Sequence, residues 1–188
     1  IKNFIIRRIT ELFGFVTVVV AVLIMISLLS YSPEDPNFIF NKIGDVKNVL
    51  GLRGSIISDF LFQSVGLVSY LFPFTLFFTG INTLISKKQI IIIDNLFFCV
   101  LYLISGCLFL SFFYNQSFFL TINGNGGFTG LFLKESFLKN ILEINTKVSF
   151  YTLLMLTVFL FLKSVSFKIS FVLLIFKNII NLSFSKRK

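Results

Sequence analysis

The sequence predicts an all-α integral membrane protein. Four transmembrane helices with both termini on the cytoplasmic side are followed by a carboxyl-terminal amphipathic helix at the interface. Three observations carry this. The 188 residues are 56% apolar and only 13% charged, against about 25% charged in soluble domains, and the mean hydropathy is +0.94. The apolar residues gather into four stretches able to cross about 30 Å of hydrocarbon at about 1.5 Å per residue. The basic residues collect on one side of the resulting topology. Abundant Phe, Ile, Lys and Asn also fit an AT-rich genome, so the grouping of apolar residues carries the argument and their identity does not.

The first span covers about residues 12–31, within a stretch from Leu12 to Pro33 that has no charge. Lys2, Arg7 and Arg8 precede it, but the run is too long for a signal h-region and has no small-residue cleavage site. It reads as an uncleaved helix. The sequence starts at Ile1, so a few residues, including the initiator, are expected to precede it. In the first outer loop, about 32–58, Pro33 and Pro36 hold the exit extended and leave Glu34 and Asp35 in water. Gly51-Leu52-Arg53-Gly54 reads as a flexible corner, with Ser55 or Ser58 capping helix two. Asp59 is favoured by the helix dipole there.

The second span, about 60–85, continues a stripe of polar or small residues at every third or fourth position: Ser55, Asp59, Gln63, Gly66, Ser69 or Tyr70, and Pro73. In lipid such a stripe faces another helix or lines a path for a substrate or ion. No ionisable residue lies deep in any span, which favours packing within or between subunits. Pro73 is predicted to bend the helix.

Ser86 to Asp94 is a short turn, pinned by Lys87 and Lys88. The third span, about 95–113, holds Cys99 and Cys107, about 12 Å apart along the axis and therefore unable to pair. They read as apolar fillers. The second outer loop, about 114–145, contains Asn123-Gly124-Asn125-Gly126-Gly127-Phe128-Thr129-Gly130, a tight turn. It fits neither a dinucleotide fingerprint nor a phosphate loop. Phe118, Phe119, Leu131, Phe132, Phe137 and Leu138 place the loop against the bilayer or the helix ends.

The fourth span, about 146–166, is short; Lys147 and Lys163 snorkel from its ends. It closes a four-helix domain of residues 1–166. In 167–188, Ser170, Lys177, Asn181 and Ser185 continue a helical spacing begun by Lys163 and Ser166, which predicts a basic amphipathic interfacial helix. A fifth span would place Lys177 near the bilayer centre at a cost of about 2.5–3.5 kcal/mol.

With four spans, eleven basic and two acidic residues lie on the side of the termini, and six of each lie on the other. The formal net charge of +9 is then entirely cytoplasmic by the positive-inside rule. Such charges act as topological anchors and contacts to anionic lipid, at about 1 kcal/mol each. The lipid bilayer is thus the expected partner of the basic residues, ahead of DNA.

Chemistry is sparse. The chain has no His and no Cys-x-x-Cys, so no metal or cofactor site is expected. Ser136 to Lys139 and Ser183 to Lys186 fit a Ser-x-x-Lys pattern without the companion elements of penicillin-recognising enzymes. Glu34-Asp35 is a solvated pair unsuited to acid/base work. No catalytic residue is expected in this chain.

Two loop boundaries carry a family resemblance. Helix one exits through Ser30-Tyr31-Ser32-Pro33-Glu34-Asp35-Pro36-Asn37-Phe38. Helix two enters through Gly54-Ser55 and Asp59-Phe60, followed by Gln63, Gly66, Tyr70 and Pro73. A Gly-Gly-x-x-Gly element precedes the last span, at Gly126 or Gly127 with Gly130. Together these resemble the amino-terminal membrane domain of the FtsK/SpoIIIE family of bacterial DNA translocases. The resemblance implies an inner-membrane anchor that oligomerises, as a hexamer, and localises a chromosome-pumping machine at the division septum, where it meets division proteins. Asp59, Gln63 and Gly66 would form its helix contact. The chain has no Walker element, linker repeat or winged-helix reader, so DNA would be reached only through a carboxyl-terminal motor outside this sequence. A small four-helix transporter or channel, or a membrane subunit of an unrelated complex, is the alternative.

Overall fold

A computed structural model of the chain describes residues 2–36, 45–117, 119–120 and 122–166. The interfacial helix expected at 167–188 lies outside them. The described residues form seven α-helices and no strand: α1 (Lys2–Leu29), α2 (Gly51–Val65), α3 (Leu71–Ser86), α4 (Ile90–Phe113), α5 (Gly127–Lys134), α6 (Leu138–Ile144) and α7 (Thr146–Ser164). Four helical stretches among them are long and apolar enough to cross a membrane: Phe4–Leu29, Gly51–Ser86, Ile90–Phe113 and Thr146–Ser164. The described residues are thus all-α with four spans. One end of the bundle carries the two long loops, and the other carries the short Lys87 to Gln89 turn.

The interior combines polar and small residues with three apolar clusters, around Tyr102, Phe109 and Phe62, while the outside is greasy. Thr75, Thr79, Thr83, Asn95, Ser105 and Ser111 are buried, whereas Leu12, Phe15, Phe97, Met155 and Phe159 are exposed. This inversion follows from the solvent. Lipid tails are as apolar as Leu, so burying Leu between helices gains little, and close backbone approach and polar pairing hold the spans together instead.

Both devices are present. A Cβ added to Gly80 would lie 2.6 Å from Val18 Cγ2 and 2.8 Å from the Gly14 carbonyl oxygen, so α1 and α3 meet at backbone distance. Across α3, α4 and α7, Thr75 Oγ1 lies 3.1 Å from the Tyr102 hydroxyl and 3.0 Å from Ser164 Oγ. Asn95 Nδ2 donates to Thr79 Oγ1 at 2.9 Å, and Ser166 Oγ donates to Asn95 Oδ1 at 2.6 Å. Interhelical bonds of this kind contribute roughly 0.6 kcal/mol each on average.

Several elements differ from the sequence expectation. Helix two starts at Gly51, so Gly51 to Gly54 is its first turn and not a flexible corner. Ser55 and Ser58 are interior to it and not caps: Ser58 Oγ bonds back to the Gly54 carbonyl at 2.9 Å. The second span is interrupted at Gly66, where a 3₁₀ segment runs to Tyr70, and not at Pro73. Pro73 is the third residue of α3, in the first turn, where a missing N–H and a fixed φ are tolerated. The second loop contains α5 and α6, which glycine and short length concealed.

Gly80→Val is expected to push α1 from α3 and to destabilise the bundle by about 1–3 kcal/mol. Denaturant titration in detergent measures this, and an unchanged midpoint would contradict the contact.

Candidate functional site

The residues singled out at the two loop boundaries converge at the loop end. After α1 the chain turns at once: Asp35 N–H donates to the Ser32 carbonyl at 3.2 Å, with Pro33 in the second position of the turn, where its fixed φ fits. The turn aims Asp35 back into the protein. Its Oδ1 and Oδ2 accept from the backbone N–H groups of Lys47 and Asn48, each at 2.9 Å, and only 4% of the residue is exposed. The expectation that Asp35 stays in water is therefore corrected: the far limb of the loop folds over it. Glu34 does face water and pairs with Lys47 Nζ, and the Glu34 carboxylate holds that ammonium above its usual range.

Asn48 is the hub of this clamp. Its Nδ2 donates to the Ser27 carbonyl at 2.9 Å and to the Ser30 carbonyl at 3.4 Å, and its Oδ1 accepts from Leu50 N–H at 3.1 Å. Ser27 Oγ donates to the Gly54 carbonyl at 2.6 Å, and Ser55 Oγ donates to the Pro36 carbonyl at 2.6 Å. Gly54, Ser55 and Pro36 thus dock the start of α2 on the end of α1.

A second chain of contacts joins all three loop-end segments. The Tyr31 hydroxyl donates to Asp59 Oδ1 at 3.2 Å, Gln63 Nε2 approaches the same oxygen at 3.5 Å, and Asn123 Nδ2 donates to Gln63 Oε1 at 3.0 Å. Asp59 is 6% exposed. Burial, then the Asp59 charge, push the Tyr31 phenol far above its usual range, which keeps the proton that this bond requires. The ring of Tyr31 packs on Phe62, with centroids 4.7 Å apart, and Tyr70 meets Phe62 edge-on at 5.2 Å.

The break at Gly66 is the third component. Gly66 has φ 62°, and a Cβ there would lie 2.0 Å from the Asn125 carbonyl oxygen. That oxygen accepts from Leu67 N–H at 2.8 Å, and the Val65 carbonyl accepts from the Cys107 thiol at 3.2 Å. Cys107 is therefore more than an apolar filler. Gly127 (φ 64°) packs against the Gly66 amide, while Gly126 and Gly130 lay α5 on α4, where an added Cβ would approach Ser111 Oγ to 2.1 and 2.2 Å.

Of the singled-out residues, Tyr31, Asp59, Gln63, Gly66, Tyr70 and Gly127 share this cluster, and Pro33, Asp35, Pro36, Gly54 and Ser55 form the adjoining clamp. Gly126 and Gly130 belong to the α4–α5 contact. Pro73 stands apart, where it lines a cavity together with Ala21, Val22 and Met25 of α1. Asn48, Asn123, Asn125 and Ser111 were missed, and only the tendency of Asn to bond to nearby backbone hints at the first three. The polar groups of the cluster bond one another, an arrangement suited to fixing a surface. No group of three or more metal-ligating side chains occurs among the described residues.

A family model described as the 4TM region of DNA translocase FtsK/SpoIIIE matches residues 6–178. The chain is 32% identical over 98 residues to a DNA translocase FtsK of Rickettsia typhi, a match covering 52% of this chain and 13% of that protein. It is 33% identical over 93 residues to the DNA translocase FtsK of Rickettsia prowazekii, covering 50% and 12%. With that of Azospirillum brasilense it shares 36% over 72 residues, covering 37% and 11%. The chain thus spans a small fraction of the length of the curated relatives it matches. No solved structure matches it.

Gly66 and Gly51 both have positive φ, but a Cβ on Gly51 meets nothing within 4 Å. Gly51→Ala is expected to cost only the left-handed strain, about 1–2 kcal/mol. Gly66→Ala adds the collision with Asn125, for a further loss of about 1–3 kcal/mol. Equal unfolding midpoints in detergent for the two variants would contradict this seating.

Proposed function

We propose, from the premise that this chain belongs to the family of 4TM regions of the DNA translocases FtsK and SpoIIIE, that it anchors such a translocase in the bacterial inner membrane and assembles it at the division septum. The observation that carries this reading is the family match across residues 6–178, which takes in all four spans. The geometry agrees with an anchor. Among the described residues, the polar stripe that runs from α2 to Gly66 makes contacts inside the chain, with Ser55, Asp59 and Gly66 buried, which supports packing over a transport path.

The burial of those residues also bears on assembly. The Asp59, Gln63 and Gly66 face packs within one chain against the second loop, so contacts between copies in a hexamer would fall on the exposed apolar faces of α1 and α7. Both termini would face the cytoplasm, because that orientation places the excess of Lys and Arg inside. DNA would then be engaged by a carboxyl-terminal motor outside this sequence, and division-septum proteins would meet the loop end or the spans.

A fluorescent reporter fused after residue 188 is expected to collect at midcell in dividing bacteria and to sediment with inner membranes. A uniform membrane signal would contradict the septal role, and a soluble pool would contradict the anchor.

A further inference from the structure

At the turn end, Glu11 already engages two cations, Arg8 Nη1 and Lys87 Nζ, both at 2.7 Å. Arg7 and Lys88 are exposed and make no ion pair among the described residues. Beside them, α1 and α4 stand apart. Both pack on α3, and at this end Gln89 Nε2 bridges to Thr10 Oγ1 at 3.3 Å. Between them opens a crevice lined by Ile9, Thr10, Phe13, Gln89, Ile92 and Ile93. Ile9, Thr10 and Gln89 lie at the turn end of the crevice, and Phe13, Ile92 and Ile93 lie farther into the span.

Among the described residues the charge at the crevice mouth is net positive, because Arg7, Arg8, Lys87 and Lys88 outnumber Glu11. Lys88 directly precedes Gln89, and Arg7 lies one turn before Thr10, about 60° around α1 from it, at the edge of the crevice face, where a long side chain can reach the mouth. α4 starts here without a side-chain cap and with no acidic residue in its first turn, so the positive end of its dipole also faces the mouth. Asp94, the nearest acid on α4, projects roughly 100° around the helix from Ile93 and roughly 160° from Ile92, away from the crevice. An apolar slot that opens sideways to lipid, under a cluster of uncompensated positive charge, has the two-part chemistry of a phospholipid.

We propose that this crevice binds an anionic phospholipid, with an acyl chain along Ile9, Phe13, Ile92 and Ile93 and the phosphate held between Arg7, Lys88 and the start of α4. A zwitterionic lipid fits the slot but does not answer the net charge. The site would couple the seating of α1 against α4 to the anionic lipid content of the surrounding membrane.

The chain has no Trp, so a single introduced Trp reports its own surroundings. Phe13→Trp places the probe in the crevice, and Phe159→Trp places one on the lipid-facing side of α7 beside Lys163, where it reads general enrichment of anionic lipid. Both positions are more than half exposed. In nanodiscs, brominated phosphatidylglycerol is expected to quench the crevice probe at a mole fraction about tenfold lower than the α7 probe, as two nearby cations allow. Brominated phosphatidylcholine should quench the two alike. Adding Arg7→Gln and Lys88→Gln should abolish the difference without moving the unfolding midpoint. Equal quenching of both probes by the anionic lipid, or a preference that survives loss of both charges, would overturn the site. If Phe13→Trp does not fold, Ile93→Trp, at a position 64% exposed, carries the same comparison.

Discussion

Hydrocarbon offers no water to a backbone amide, so every break in a membrane helix must find replacement partners inside the protein or cost several kcal/mol per open group. The interruption of the second span at Gly66 is where this constraint shapes the molecule. The amide of Leu67 is satisfied by the Asn125 carbonyl, and the carbonyl of Val65 by the Cys107 thiol. Those two bonds require the second loop to sit on α2 and α4 to lie alongside. Gly127 must be small to let the loop approach, and Gly126 and Gly130 must be small to let α5 follow it down onto α4. The glycine cluster is thus a consequence of the break one span away.

The same scarcity of water explains why the first loop is tightly built. Asp35 satisfies the loop amides of Lys47 and Asn48, and Asn48 satisfies the Ser27 and Ser30 carbonyls at the end of α1. Tyr31, Asp59, Gln63 and Asn123 then carry hydrogen bonding across from the first loop to the second. At the opposite end, Glu11 ties α1 to the turn before α4 through Lys87. Both ends of the bundle are fixed by polar contacts, and the middle by small residues, hydroxyl pairs and apolar clusters such as that of Val68, Tyr102 and Leu160.

Much of the fold was legible because it follows from length and charge. Four apolar stretches of the right span predict four helices, and a period of three to four placed Asp59, Gln63 and Gly66 on one face of the second span. What escaped depends on contacts distant in sequence. Asp35 looked solvated between two prolines beside Glu34, and only the return of residues 47 and 48 buries it. The bend was assigned to Pro73 because proline breaks helix interiors, yet the helix had already broken at Gly66, which moved Pro73 into a first turn. Asn48, Asn123 and Asn125 sit in polar loops where nothing local separates a hub from a solvated residue. α5 begins with glycines, and its helical state is imposed by packing on α4.

The central claim is that the second loop is seated on the break in the second span, and the contact between Gln63 and Asn123 tests it most directly. In a chain carrying Gln63→Cys and Asn123→Cys, with the buried Cys99 and Cys107 retained, a short bis-maleimide added to native membranes should cross-link the two within one chain. It should also protect both from later maleimide labelling. Two thiols that label independently, with no cross-link inside the chain, would contradict the account.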